Sequence, residues 1–259
     1  MRPADDDSES WHYGGLNKEE SAMHEMDDRR SFLKNGAIAL GGTALACAGA
    51  ALAQEKKAGE DDSKKEEDVT PVEDLGREHG LLNRVLLVYD EFVRRLNAKS
   101  ELEPKLVLDS ANIIRHFIED YHEKLEEEQL FPRFEKAHKL TDLVAVLRQQ
   151  HQAGRGVTLQ IIQRADASSL KQAAEREKLA TSLKQFIRMY RPHEAREDTV
   201  LFPALRSIVS GNEYDSLGDE FEKKEHELFG REGFEGMLEK VTTIEKALGV
   251  YELSQFTPR

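Results

Sequence analysis

A chain of 259 residues with a formal net charge of -13 can hold one medium domain or two small ones, with a core large enough to fold unaided. The acidic balance argues against nucleic acid as a partner, because binding duplex phosphates requires a basic face that displaces counterions. The one cysteine, Cys47, excludes an internal disulfide and any cysteine-based zinc or iron–sulfur site, so a metal here must be held by histidine and carboxylate.

Residues 1–53 read as an address. Arg29 and Arg30 are followed by Phe32, Leu33 and Lys34, then by a weakly apolar Gly/Ala-rich segment and an A-x-A site at Ala51, Leu52 and Ala53. That is the pattern of a cleaved twin-arginine export signal, which implies a periplasmic or secreted protein. The segment is too short and too poor in Leu, Ile and Phe for the roughly 20 apolar residues of a membrane span, so no stable insertion is expected. Lipidation at Cys47 is disfavoured because Ala44 stands where a lipobox has leucine. The stretch before the arginines is long and acidic, and Met26 offers a more ordinary start. Residues 54–71 are charged and almost free of large apolar side chains, as in a flexible linker.

From residue 72 onward apolar positions recur at three and four, with little Gly or Pro and no alternating β-branched run. The expected elements are a first helix over about 73–98, a second over about 104–136 and a third over about 141–164 with Thr141 as N-cap. A fourth starts after "ADASS" and reaches Ile208, bent near Pro192, whose ring removes a backbone donor. Four long helices with short connections, spanning 72–210, predict an all-α, up-down-up-down four-helix bundle. Two shorter helices in 211–259 form a short C-terminal helical extension.

Within this pattern one segment occurs twice. "HEKLEEEQLFP" from His122 and "HEAREDTVLFP" from His193 share H-E-x-x-E-[ED]-x-x-L-F-P. Residues four apart lie on one helix face, so His122 with Glu126, and His193 with Glu197, each place an imidazole and a carboxylate on one stripe. His79 on the first helix and His151 on the third are the remaining candidates. In an antiparallel hairpin two residues meet at one level when the turn lies midway between them. The midpoint of His79 and His122 falls in "NAKSELEP", that of Glu126 and His151 at "HKLT", and that of His151 and His193 at residue 172, a few residues beyond "ADASS". All four helices can therefore present a ligand at roughly one height.

His79, His122, Glu126, His151, His193 and Glu197 together offer six nitrogen and oxygen donors. That exceeds the need of one tetrahedral zinc, and two carboxylates can bridge a pair of cations. Imidazole-rich ligation favours iron over magnesium or calcium, with manganese or zinc as the alternatives. Open positions on such a pair would take a small diatomic ligand or peroxide, and Leu130, Phe131, Leu201 and Phe202 would exclude bulk water. His116 lies about 240° round the helix from His122 and should point away. His138 reads as a turn residue, Glu127 and Glu128 as an exposed acidic face, and the "LFP" tripeptides as core packing before a bend. His226 in the C-terminal extension is a candidate cap or outer partner of the site. "HEKLE" and "HEARE" differ from the H-E-x-x-H of zinc proteases at the fifth position, Glu126 or Glu197, which argues against that class.

With its paired H-x-x-x-E-[ED]-x-x-L-F-P segments, "EHGLL" at His79 and "QQHQ" at His151, the chain resembles the hemerythrin-like (HHE cation-binding) proteins over about residues 72–210. The resemblance implies a four-helix bundle around a non-haem di-iron centre, with roles in oxygen binding, oxygen or redox sensing, and iron handling. It would make His79, His122, His151 and His193 terminal ligands and Glu126 and Glu197 bridges. Oxygen-carrying hemerythrins place two histidines four apart on the third helix, but Leu147 and Arg155 flank His151 at that spacing here, and Glu123 is the candidate replacement. The carriers also have an aspartate one position beyond Glu197, which is Asp198 here, so the second bridge stays open between the two.

The leading expectation is an exported protein that binds or senses dioxygen or a related small oxidant at two non-haem irons. A di-iron oxidase, peroxidase or iron-handling protein at the same site is the enzymatic alternative, and a metal-free helical interaction module the third. Export through the twin-arginine route fits a cofactor loaded before translocation, because that route carries folded proteins.

Overall fold

The computed structural model describes residues 69–230 and 233–258, and among them every regular element is helical. The expected signal with Arg29, Arg30 and Cys47, and the linker through residue 68, lie outside the described residues.

Helix α1 (Pro71–Asn97) begins two residues earlier than its apolar periodicity indicates. The reason is local: Thr70 accepts from the Glu73 amide while the Glu73 carboxylate accepts from the Thr70 amide, a reciprocal cap, and Pro71 fills the first helical position. The chain leaves α1 through Lys99, at φ 54. Helix α2 (residues 104–136) opens on Pro104 and is not α-helical throughout. Two π-helical stretches, Ile114–His122 and Glu126–Leu130, interrupt it, and a third, Glu197–Leu201, occurs in the later copy of the repeat.

The two shorter π stretches have a readable cause. Each begins at the glutamate of the repeat and ends one residue before the Phe-Pro pair, so Phe131 donates to the carbonyl of Glu126 and Phe202 to that of Glu197. Pro132 and Pro203 have no amide hydrogen, and their rings would crowd the carbonyls four residues back; a π turn relieves both conflicts without ending the helix. Where the sequence indicates a bend after "LFP", the structure thus has a change of helical pitch.

His138 and Leu140 make the next turn with positive φ, as expected of a turn at His138. Helix α3 (Thr141–Ile162) then starts one residue earlier than an N-cap at Thr141 would give, because Leu140 occupies the N-cap and Thr141 is already helical. The single fourth helix of the sequence reading is two elements. Asp166 accepts from the amides of Ser168 and Ser169 and caps the short α4 (Ala167–Lys171), Gln172 is extended, and α5 (residues 173–205) follows with Pro192 inside it. Helices α6 (Gly211–Phe229) and α7 (Gly233–Leu248) complete the chain, before a 3-10 turn at Leu253–Phe256.

Helix α5 lies along both α1 and α3, and α2 packs against α3 and α1. The C-terminal helices cover α1 and the first part of α2. They do so with buried Tyr214, Leu217, Phe221, Phe234, Met237 and Val241, so the extension adds a layer of core instead of hanging free. Phe229 packs on the rings of Phe117 and Tyr121, and Arg84 is held by Glu245.

One interior charge has a measurable consequence. Glu119 on α2 is fully buried beside Arg115, at 2.7 Å, and burial outweighs the help of Thr158 and the arginines, raising its pKa to about 6. Both folded and unfolded chains hold the proton below pH 4.5, so stability falls as pH rises to about 6 and the loss is complete above that. The loss amounts to about 2 kcal/mol. Glu119→Gln is therefore expected to be more stable than the native chain by about that amount at pH 8 and equal to it at pH 4, in urea titrations at the two values. An offset that does not change with pH would count against this account.

Candidate metal centre

Four histidines from four helices meet in the interior: His79 from α1, His122 from α2, His151 from α3 and His193 from α5, each at most 4% exposed. Between them lie the fully buried carboxylates of Glu126 and Glu197. The six central candidates of the sequence are thus brought to one place, at one height, as the turn midpoints require. Glu126, His151, His193 and Glu197 form one group and His79, His122 and Glu126 another, each with donor atoms within 4.8 Å of one another.

The imidazoles are paired. Nε2 of His79 lies 3.1 Å from Nε2 of His122, and Nε2 of His151 lies 3.1 Å from Nε2 of His193. Two ligand atoms each about 2.1 Å from one ion stand about 3.0–3.4 Å apart at octahedral or tetrahedral angles. The carboxylates link the pairs: Glu197 lies 3.1 Å from His193 and 3.4 Å from His79, and Glu126 lies 3.4 Å from His151 and 3.8 Å from His122.

The other ring nitrogens fix the tautomers. Nδ1 of His79 faces Asp198 at 2.8 Å, that of His122 faces Glu78 at 2.6 Å, that of His151 faces Glu127 at 3.2 Å and that of His193 faces the side-chain oxygen of Gln150 at 2.9 Å. Each acceptor requires a proton on Nδ1, so that in the neutral imidazole Nε2 carries the lone pair and faces the centre, the form that binds a cation. Asp198, the alternative second bridge, is accounted for in this way: it orients His79 from behind while Glu197 occupies the interior.

The carboxylate oxygens of Glu126 and Glu197 are buried and accept no well-directed hydrogen bond. Such groups are costly without a proton or a cation. Burial and the neighbouring Glu197 drive the pKa of Glu126 well above the carboxylate range. In Glu197 burial acts in the same direction, but His193 and His79 overcome it and hold the group low. Burial lowers His122 and His151, whereas in His79 the bonds to Asp198 and Glu197 overcome burial and raise the pKa to about 10. These are the marks of a donor set that suits a cation: four imidazole nitrogens, two buried carboxylates between them and a dry surround.

Phe202 stacks on His79 at a centroid distance of 5.3 Å and Phe131 on His151 at 5.5 Å, while Leu130 and Leu201 are fully buried. The Phe of each "LFP" therefore seals a histidine on a neighbouring helix, a more specific task than core packing.

Other positions depart from expectation. Glu123 joins Glu127 and His151 in a further group of donor atoms, apart from the groups that contain Glu126; its carboxylate accepts from the Tyr190 hydroxyl and pairs with Arg155 at 2.8 Å. Glu127 is not part of an exposed face, for it bonds His151, Arg155 and Lys124, and only Glu128 is exposed. His226 is exposed and does not reach the site. On α6 the buried positions are Tyr214, Leu217, Phe221 and Glu225, and the next residue falls about 100° off that face. Glu225 instead takes the Phe234 amide at 2.8 Å and comes together with Asp74 and Glu78. His116 points outward, as foreseen, toward Asp120. Of the outer acceptors, Glu78 and Gln150 were not singled out in the sequence, and Glu127 and Asp198 were read there as an exposed face and an alternative bridge, although each of the four is adjacent to a candidate ligand.

Gly154 on α3 keeps this network open. A Cβ there would stand 2.1 Å from the Tyr190 hydroxyl oxygen and 2.9 Å from its ring, and Tyr190 is stacked on Phe186 at 4.2 Å. Gly154→Ala is expected to destabilise by about 1–3 kcal/mol through overpacking. Gly156→Ala, two residues on with nothing within 4 Å, should stabilise by about 0.5–1 kcal/mol. Denaturant titration of the two variants checks the opposite signs.

The hemerythrin HHE cation-binding domain matches residues 70–205. Two relatives, both described only as uncharacterized proteins, one of Mycobacterium bovis and one of Mycobacterium tuberculosis, are each 47% identical over 231 residues, 89% of this chain and 91% of theirs. No solved structure matches the chain. The chain belongs to the hemerythrin HHE cation-binding family, and its His/Glu clusters are able to hold a metal. The match to the mycobacterial proteins is longer than the family domain, so the similarity is not confined to that domain.

Proposed function

We propose that α1, α2, α3 and α5 act as an up-down-up-down four-helix bundle holding two iron ions, one served by His79 and His122 and the other by His151 and His193. Glu126 and Glu197 bridge them. The observation that carries this reading is the pair of Nε2–Nε2 separations of 3.1 Å, with every Nδ1 facing an acceptor. Bound iron supplies redox chemistry and coordination positions for a small ligand. The residues of the chain direct four lone pairs inward, balance the ionic charge with two carboxylates, and exclude water through Phe131, Phe202, Leu130 and Leu201.

The loaded protein binds or senses dioxygen or a related small oxidant, outside the cytoplasm if the twin-arginine pattern at Arg29 and Arg30 acts as read. Leu147, buried one turn before His151, supports a second reading. Four imidazoles and a carboxylate-rich surround favour ferric iron, and with it turnover as an oxidase or peroxidase or a role in iron handling. Anaerobic reduction followed by a measured pulse of oxygen separates the two. A binder returns the gas when the pressure is lowered, whereas an oxidase consumes it; no reaction with oxygen or peroxide would sink both.

A further inference from the structure

The half of the cluster built from α1 and α2 repeats, residue by residue, in the half built from α3 and α5. His79 and His151 correspond, as do His122 and His193, and the carboxylates that follow Glu126 and Glu197 each turn to a histidine on a neighbouring helix. The correspondence breaks at two places. The acceptor one residue before the first histidine is a carboxylate in Glu78 but a neutral amide in Gln150. The residue four after it is the amide Asn83, which bonds Glu194, in one half, and the cation Arg155, which bonds Glu123, in the other.

Both breaks change charge in the same sense. The position between His79 and His122 has carboxylates, Asp198 and Glu78, behind both rings. Asp198 is not paired with any lysine or arginine among the described residues. The position between His151 and His193 has one carboxylate behind it, and that one, Glu127, is shared with Arg155 at 2.8 Å and Lys124 at 2.7 Å. Its other acceptor, Gln150, is neutral. A carboxylate behind an imidazole raises the basicity of the ligating nitrogen and stabilises positive charge on the ion, whereas a neutral amide supports the ring with less charge.

Resting on the two-ion reading above, we infer that the two positions are unequal: the one between His79 and His122 fills first and holds a divalent transition ion about 10–100-fold more tightly than the one between His151 and His193. Glu78 and Gln150 are positioning residues in this scheme, since each acts through the histidine it faces. Under limited supply the chain carries one ion, at His79 and His122, and the second position is the exchangeable one.

The test is an anaerobic titration of the metal-free full chain with ferrous iron against a competing chelator. The native chain is expected to bind in two steps about 10–100-fold apart. Gln150→Glu, a substitution of nearly equal size at a half-buried position, should tighten the weaker step and narrow the gap. Glu78→Gln should weaken the stronger step, and its helical content by circular dichroism reports whether the fold is kept. Equal affinities in the native chain, or unequal steps that neither substitution moves, would overturn the inference and leave a two-ion centre standing. Failure to bind a second ion at any concentration would overturn the two-ion reading and the inference with it.

Discussion

Glu126→Ala is expected to cut the iron content of protein purified from an iron-supplied culture from about two ions per chain to less than one. Glu126 is fully buried, belongs to both groups of potential ligands and lies within 4 Å of an imidazole in each pair, so its loss affects both positions. Outer partners of metal ligands are worth about 10–100-fold in affinity, and a shared inner ligand should exceed that. The next two residues supply a graded control. Glu127→Ala removes the acceptor behind His151 and should lower occupancy within that range. Glu128→Ala, on the exposed side of the same turn, should leave the content unchanged. Inductively coupled plasma mass spectrometry on the three variants reads the order directly, and equal losses in all three would refute it.

The second large effect concerns stability. Without a cation the centre holds Glu126 with its pKa driven upward by burial and Glu197, and His79 with its pKa raised to about 10 by Asp198 and Glu197 against the pull of burial. Free metal at 1,000 times its dissociation constant stabilises a site by about 4 kcal/mol. For a domain of this size that is roughly 8–16 °C in Tm. Removal of metal by a chelator should lower Tm by at least that much.

The pH dependence has a definite sign. In the metal-free chain the proton on His79 contributes stability that is fully present below about pH 6.5 and lost as pH rises through about 10. Metal must displace that proton and competes with protonation of Glu126, whose pKa burial and Glu197 drive upward, so affinity rises with pH. The difference in Tm between loaded and chelated protein should be larger at pH 8 than at pH 6 by differential scanning calorimetry. A difference that shrinks with rising pH would contradict this.

Helical periodicity made the all-helical frame legible, because apolar positions recur at three and four from residue 72 onward with no alternating run. The six central residues were legible for the same reason: spacing of four puts His122 with Glu126 and His193 with Glu197 on one face, and turn midpoints set the level of the helices. The midpoint at residue 172, beyond "ADASS", coincides with the break at Gln172 between α4 and α5. What periodicity could not convey is what stands behind each ring. Glu127 and Asp198 are one residue past a ligand, and periodicity reads the first as an exposed face and leaves the second open as a bridge, whereas here both serve histidines on neighbouring helices. The π stretches were masked because a proline in a helix reads as a bend, whereas Pro132 and Pro203 are accommodated by a change of pitch. Glu225 could have been preferred to His226 by following the face set by Tyr214, Leu217 and Phe221.

The most direct test of the centre is anomalous-difference density at the iron edge from crystals of the iron-loaded chain. The account predicts two peaks about 3.5–4 Å apart, one beside His79 and His122, the other beside His151 and His193, with Glu126 and Glu197 between them. A single peak, or density beside Asp74, Glu78 and Glu225 instead, would contradict it.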